Sequence, residues 1–273
     1  MLSGAIKTSL HKYDDGLENY LRCLDIRRDI LGVEEEKLAG IFQNIGIIYY
    51  NKKEYDKALA NYEECLDIRK KHYGENHMKL ANIYQNIGIV YHDQKKHKKS
   101  YEYHMRCLKI RRHSFSEDHP KTASSMQNVG ISLEHLGKYD HALQYYEKAL
   151  AIRKKFFGEF NPKVATSYKN LGNCLQSLKR FKEALEAFER CLGIRINTCA
   201  QHDQSLGSIH FSLGVVHEEL RNEDEAYKHL KKSVEIREEA FGVNNYRVAN
   251  GYRRIGKMFT TLGNFKNAIQ NFQ

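Results

Sequence analysis

No stretch of this sequence stays apolar over the ~20 residues that a helix needs to cross a bilayer, and Ser3, Lys7, Thr8 and Ser9 break the opening segment before a secretory core could form. The reading is a chain that stays in the cytoplasm. No C-x-x-C, no H-E-x-x-H and no nucleophile elbow around a serine occurs. Metal, redox and hydrolase chemistry lose their usual sequence supports, so no catalytic residue, cofactor or metal is expected, and the chain reads as a non-enzyme. Proline is scarce, with only Pro120 and Pro162. What is present is a soluble balance of 41% hydrophobic and 29% charged residues, with a formal charge of +10. That charge raises nucleic acid, an anionic surface or an acidic peptide as partner chemistries.

Gly4, Gly46, Gly88, Gly130, Gly172, Gly214 and Gly256 are each separated by 42 residues, so the chain is one unit copied. Small residues recur at Ala39, Ala81, Ala123, Ala165, Gly207 and Ala249, and again at Gly16, Ala58, Ser100, Ala142, Ala184, Ala226 and Ala268. Side chains this small at fixed places mark close approaches between helices. Ile83, Tyr84, Ile87, Gly88, Val90 and Tyr91 share one face at helical spacing, as do Tyr55, Ala58, Leu59, Tyr62, Cys65 and Leu66 in the second half of another unit. Each unit is thus a helix pair joined by a short polar turn, such as Asn51-Lys52-Lys53-Glu54. Gly32, Gly74, Gly158 and Gly242 can take the left-handed conformation that ends a second helix, and Pro120 and Pro162 suit a first helical turn. Ser116 and Ala200 replace the terminating glycine, which makes the junction near residue 200 the least regular.

Leu171-Gly172, followed by small Ala184 and aromatic Phe188, resembles the tetratricopeptide repeat. The unit here is longer than the usual one and adds Ile-Arg at 26–27, 68–69, 110–111, 152–153, 194–195 and 236–237. That longer form, and the segment Ala149 to Gly158 followed by Asn161-Pro162, is similar to kinesin light chain and nephrocystin-type repeats. Glycine stands where light chains usually carry alanine in the first helix, and no heptad coiled coil precedes the array.

The resemblance implies an all-α fold, a right-handed superhelical solenoid of antiparallel helix hairpins over residues 1–273. Its repeats would be 1–38 (partial), 39–80, 81–122, 123–164, 165–206, 207–248 and 249–273 (partial). It implies a protein–protein interaction module or scaffold that takes a partner peptide or helix in a concave groove, with a kinesin light chain-like cargo adaptor, cytoskeleton-associated and part of a motor complex, as the named role. The alternative is a substrate-recruiting or regulatory segment of a larger enzyme or signalling protein. Gly4 stands close to the start and Gln273 falls inside a second helix, so a larger parent chain is expected.

Cys23, Cys65, Cys107 and Cys191 hold one repeat position that Ala149 and Ser233 also occupy, and Cys174 and Cys199 are isolated; all read as packing thiols in a reduced setting. Gly251 to Lys257 matches most of a phosphate-binding loop, but Met258 replaces the required hydroxyl and Gly256 is a repeat glycine inside a helix. The aromatics Tyr62, Tyr146, Phe188 and Phe272 fall on packing positions, so stacking on nucleic acid is not expected.

Asn44, Asn86, Asn128 and Asn170 stand two residues before the repeat glycine, the first three preceded by Gln43, Gln85 and Gln127. Asparagine competes for backbone hydrogen bonds and is poor inside helices, so four copies need a reason. Either their amides hold the main chain of a bound peptide, or they bond to the neighbouring repeat. The same region carries Lys169, Asn170 and Asn173 in the fifth unit and Arg253, Arg254 and Lys257 in the last. Facing inward, these would favour an acidic ligand; otherwise they are solvated helix charge.

Overall fold

The computed structural model describes residues 4–29, 35–198 and 203–261, together with 263 and 268. Among these residues every regular element is helical: α1 (Gly4–Asp29), α2 (Glu35–Asn51), α3 (Tyr55–Tyr73), α4 (Met78–Asp93), α5 (His97–Phe115), α6 (Pro120–His135), α7 (Tyr139–Phe157), α8 (Pro162–Ser177), α9 (Phe181–Thr198), α10 (Gln204–Glu219), α11 (Glu223–Phe241) and α12 (Tyr246–Thr261). The all-α hairpin class follows as expected, with even-numbered helices as the first of each pair and odd-numbered ones as the second. One difference lies in α1, which runs unbroken past His11, where the later repeats turn. The chain forms two compact units, Met1–Gly137 and Lys138–Gln273, divided between α6 and α7. Within each, consecutive helices pack on one another.

Local chemistry sets the helix boundaries on the 42-residue period. His77, His119, Asn161 and Asp203 cap α4, α6, α8 and α10, each side chain accepting a backbone N–H two residues on at 3.3, 3.1, 2.9 and 2.7 Å. Pro120 and Pro162 follow two of these caps, where a missing N–H costs nothing. The second helices end at Gly74, Gly158 and Gly242 with φ of 77–80° but ψ of 160–171°. That is an extended conformation of positive φ open essentially to glycine, beyond the left-handed helical well. Ser116 takes the same conformation at φ 109°. Gly32 and Ala200 lie outside the described residues. Between paired helices a different residue takes the left-handed well, and it recurs every 42: Lys53, Lys95, Gly137, Lys179, Arg221 and Gly263, at φ 58–72°.

The small-residue positions form the helix contacts. Ala39, Ala58, Ala81, Ser100, Ala123, Ala142, Ala165, Ala184 and Ala226 are all fully buried, while Ala249 is exposed. Gly46 and Gly172 lie against the rings of Tyr62 and Phe188, where an added Cβ would stand 2.5 and 2.7 Å away. A core residue sixteen places downstream therefore folds back onto each of these repeat glycines. At Gly88 that partner is His104, 4% exposed. Cys65 and Cys107 are buried, and burial pushes the Cys65 thiol up to about 11, so it stays protonated packing material. Cys199 lies outside the described residues.

Candidate functional site

The recurrent Ile-Arg pair has a structural role that its spacing alone did not reveal. In unit 1, Arg111 is 7% exposed on α5 and reaches two consecutive first helices at once. It donates to Gln85 Oε1 at 2.7 Å and Asn82 Oδ1 at 3.0 Å on α4, and to Ser125 Oγ at 2.9 Å and the Lys121 carbonyl at 3.3 Å on α6. Arg69 does the same one repeat earlier, to Gln43 Oε1 at 2.9 Å and the Lys79 carbonyl at 3.2 Å. In unit 2, Arg153 reaches Ser167 Oγ, Arg195 reaches Thr166 Oγ1 and Arg237 reaches the Arg247 carbonyl. A planar fork with five donors can staple neighbouring helices in this way, which an ammonium cannot. Gln43 and Gln85, expected as groove residues, are thus acceptors for the staple.

The asparagines behave differently. Asn44, Asn86, Asn128 and Asn170 are all partly exposed on α2, α4, α6 and α8. Asn44 Nδ2 donates to Tyr20 Oη at 3.2 Å, so the cross-repeat alternative is realised there. The Asn170 Nδ2 is buried without a hydrogen-bond partner, an amide that still has a donor to give. Gln127, Lys169 and Asn173 are half-buried. One turn on from the asparagines the sequence reading missed a second column: Ile47, Ile89 and Ile131 directly follow the repeat glycines and remain partly exposed, Ile47 by 37%. In unit 2 this column becomes Asn173, buried Val215 and exposed Lys257. Its signal was the 42-residue spacing itself.

The basic residues of the last repeat are only partly available. Arg254 Nε pairs with Glu218 Oε2 at 2.7 Å, both side chains mostly covered. Arg253 is exposed and donates to Asn250 Oδ1 at 2.9 Å, and Lys257 is exposed.

Histidines gather between helices in both units. The rings of His92, His97 and His135 lie 4.6–5.6 Å apart, and His210 Nδ1 stands 2.9 Å from His229 Nδ1. Burial holds His92, His97 and His229 below the ordinary imidazole value and pushes His104 and His210 down to about 4. No group of three or more His, Cys, Asp or Glu among the described residues is arranged to hold a metal ion. The segment Gly251–Lys257 is helical, with Gly251 packed on Val234. Nor is any described helix long and apolar enough to cross a membrane.

Helix pairs repeated on a 42-residue period and stapled by arginine define an all-α repeat protein. The family itself follows from the sequence match: the tetratricopeptide repeat matches at residues 1–71, 37–112, 79–155, 130–197 and 205–273, and the chain belongs to that family, whose fold generally mediates protein–protein interaction. Among solved structures it is similar to BtubC (BKLC) from P. vanneervenii, at 22% identity and a TM-score of 0.72, covering 89% of this chain and 95% of that one. It is also similar to a kinesin light chain candidate of Podosopora anserina with nearly identical TPR-like repeats, at 17% identity, a TM-score of 0.65, and 76% and 98% coverage. The apo form of RapI matches at 20% identity and a TM-score of 0.67, with 86% and 94% coverage. No curated protein matches the sequence.

Proposed function

We propose that the protein is a non-catalytic interaction module, binding a partner peptide or helix on its first-helix faces in the manner of a kinesin light chain-like cargo adaptor. The observation that carries this reading is the fate of the two amide columns. The glutamines at 43 and 85 are spent on Arg69 and Arg111 and the Asn44 amide on Tyr20, whereas Asn86, Asn128 and Asn170 remain partly exposed, the Asn170 Nδ2 being covered and without a hydrogen-bond partner. An amide holding a ligand backbone supplies affinity without demanding one side chain. The Ile47, Ile89 and Ile131 column beside it favours apolar ligand side chains along unit 1, and the basic residues Arg253 and Lys257 favour an acidic segment at α12.

The test is an affinity capture with the chain and with an Asn86→Ala/Asn128→Ala/Asn170→Ala variant of equal helicity. Partners lost by the variant support recognition by the amides. Partners retained in full would move the function to another face and leave the asparagines structural.

A further inference from the structure

One corner of unit 1 gathers three histidines from three helices, and we propose that His92, His97 and His135 form a binding site for one divalent transition-metal ion of the zinc class. His92 lies in the last turn of α4, His97 opens α5 and His135 closes α6. Their ring centroids form a small triangle, with sides of 5.6 Å from His92 to His97, 4.6 Å from His92 to His135 and 4.8 Å from His97 to His135. Three imidazoles on one tetrahedral zinc, each nitrogen about 2 Å from the metal, place their centroids about 5 Å apart. The backbone thus already spaces the rings for an ion.

What sets this corner apart is unsatisfied nitrogen. The Nδ1 atoms of His92 and His97 are covered and have no hydrogen-bond partner, a cost that buried polar atoms rarely bear unless an ion or a water takes it up. Forty-two residues earlier the same three positions are Tyr50, Tyr55 and Asp93, and there Tyr50 Oη donates to Asp93 Oδ2 at 2.8 Å. Forty-two residues later they are Glu134, Tyr139 and Ser177. The trio therefore belongs to one repeat, and packing of the helix pairs does not require it.

Burial keeps His92 and His97 below the ordinary imidazole value, so both are neutral at pH 7, the form that binds metal. As they stand the donor atoms do not converge: His97 and His135 are stacked at 12°, and no trio among the described residues is set around an ion. The adjustment needed is rotation about the Cβ–Cγ bond, which is soft for histidine, and His135 is exposed enough to make it. Asp93 beside His92 favours a cation, whereas Lys95 beside His97 opposes one. Neutral nitrogen donors disfavour calcium and magnesium, which take oxygen ligands, and suit the borderline ions. His104 is engaged deeper in the stack by Ser132 at 3.0 Å and stays outside the set. The ion would tie the ends of α4, α5 and α6 together, its fourth position left to water.

Isothermal titration of the full chain with zinc chloride tests this. The chain should bind one equivalent, and its melting temperature should rise with zinc and fall back on adding EDTA. His97→Tyr and His135→Ser install residues that other repeats hold at these positions, and circular dichroism checks that each variant is folded. Each should weaken zinc binding by more than the about 10–100-fold that loss of an outer-shell partner costs. His229→Tyr removes one imidazole of the close His210–His229 pair in unit 2 and installs the residue found at Tyr145; it should bind zinc as the wild type does. No saturable zinc binding by the wild type, binding unchanged in His97→Tyr and His135→Ser, or binding lost in His229→Tyr would each overturn the proposal.

Discussion

Gly46 lies so close to Tyr62 that a Cβ at position 46 would stand 2.5 Å from the ring, and that ring is only 1% exposed. The glycine of the repeat is therefore a seat for the second helix. Gly46→Ala should gain about 1 kcal/mol of helix propensity but pay overpacking of about 1–3 kcal/mol against a ring with nowhere to move. Denaturant melts should show a net loss of about 1 kcal/mol. Gly40→Ala is the control: it meets nothing within 4 Å and should raise stability. If both variants were stabilised to the same degree, the close seat would be refuted.

Arg111→Lys should destabilise the chain by about 2 kcal/mol, because a single ammonium leaves some of Gln85, Asn82 and Ser125 without their donor in a covered setting. Thermal melting checks this. An unchanged midpoint would mean that the staple geometry adds nothing beyond its charge.

Ser116 occupies a positive-φ extended conformation that the other repeats give to glycine. Relieving it with Ser116→Gly should stabilise by about 1 kcal/mol. A melting point below that of the wild type would show that the serine side chain contributes more than the backbone strain costs.

His104 predicts an acid-dependent stability. Its imidazole is buried beneath Gly88, with Nδ1 3.0 Å from Ser132 Oγ, and His92 and Arg111 add unfavourable charge, although the Asn128 and Gln85 backbone partly compensates. The folded value near 4 lies below the ordinary 6.5, so the unfolded chain binds the proton more readily. The stabilisation is complete above pH ~6.5 and falls away as pH drops toward 4, by about 3 kcal/mol over that window. His104→Phe, which restores the aromatic found at Phe188, should flatten this slope and leave Ser100 and Ser132 paired at 3.0 Å. Stability curves of the two proteins at pH 7, 5.5 and 4.5 decide it. Parallel curves would assign the acid sensitivity to other groups, His210 and His229 first.

Much of this was legible in the residues, and the exceptions share a cause. Period, helix pairing, first-turn prolines at Pro120 and Pro162 and buried small residues all report local geometry, which a repeated sequence displays many times over. The positive-φ turn residues were hidden because Lys53, Lys95, Lys179 and Arg221 fill a place where Gly137 and Gly263 alone give a signal. Adjacent glutamine and asparagine look alike in a string, so the sequence leaves open which of them faces a ligand and which bonds to the neighbouring repeat. Their separation depends on where Arg69 and Arg111 point.

By itself the sequence determined the repeat, the helical class and the positions that must be small, because helix periodicity and steric exclusion act between residues a fixed number of places apart. Only the tertiary structure decided which polar groups are spent inside the stack and which stay partly exposed. Hydrogen bonds between Arg111, Gln85 and Ser125 join three separate helices, and nothing in the order of residues along the chain states that they meet.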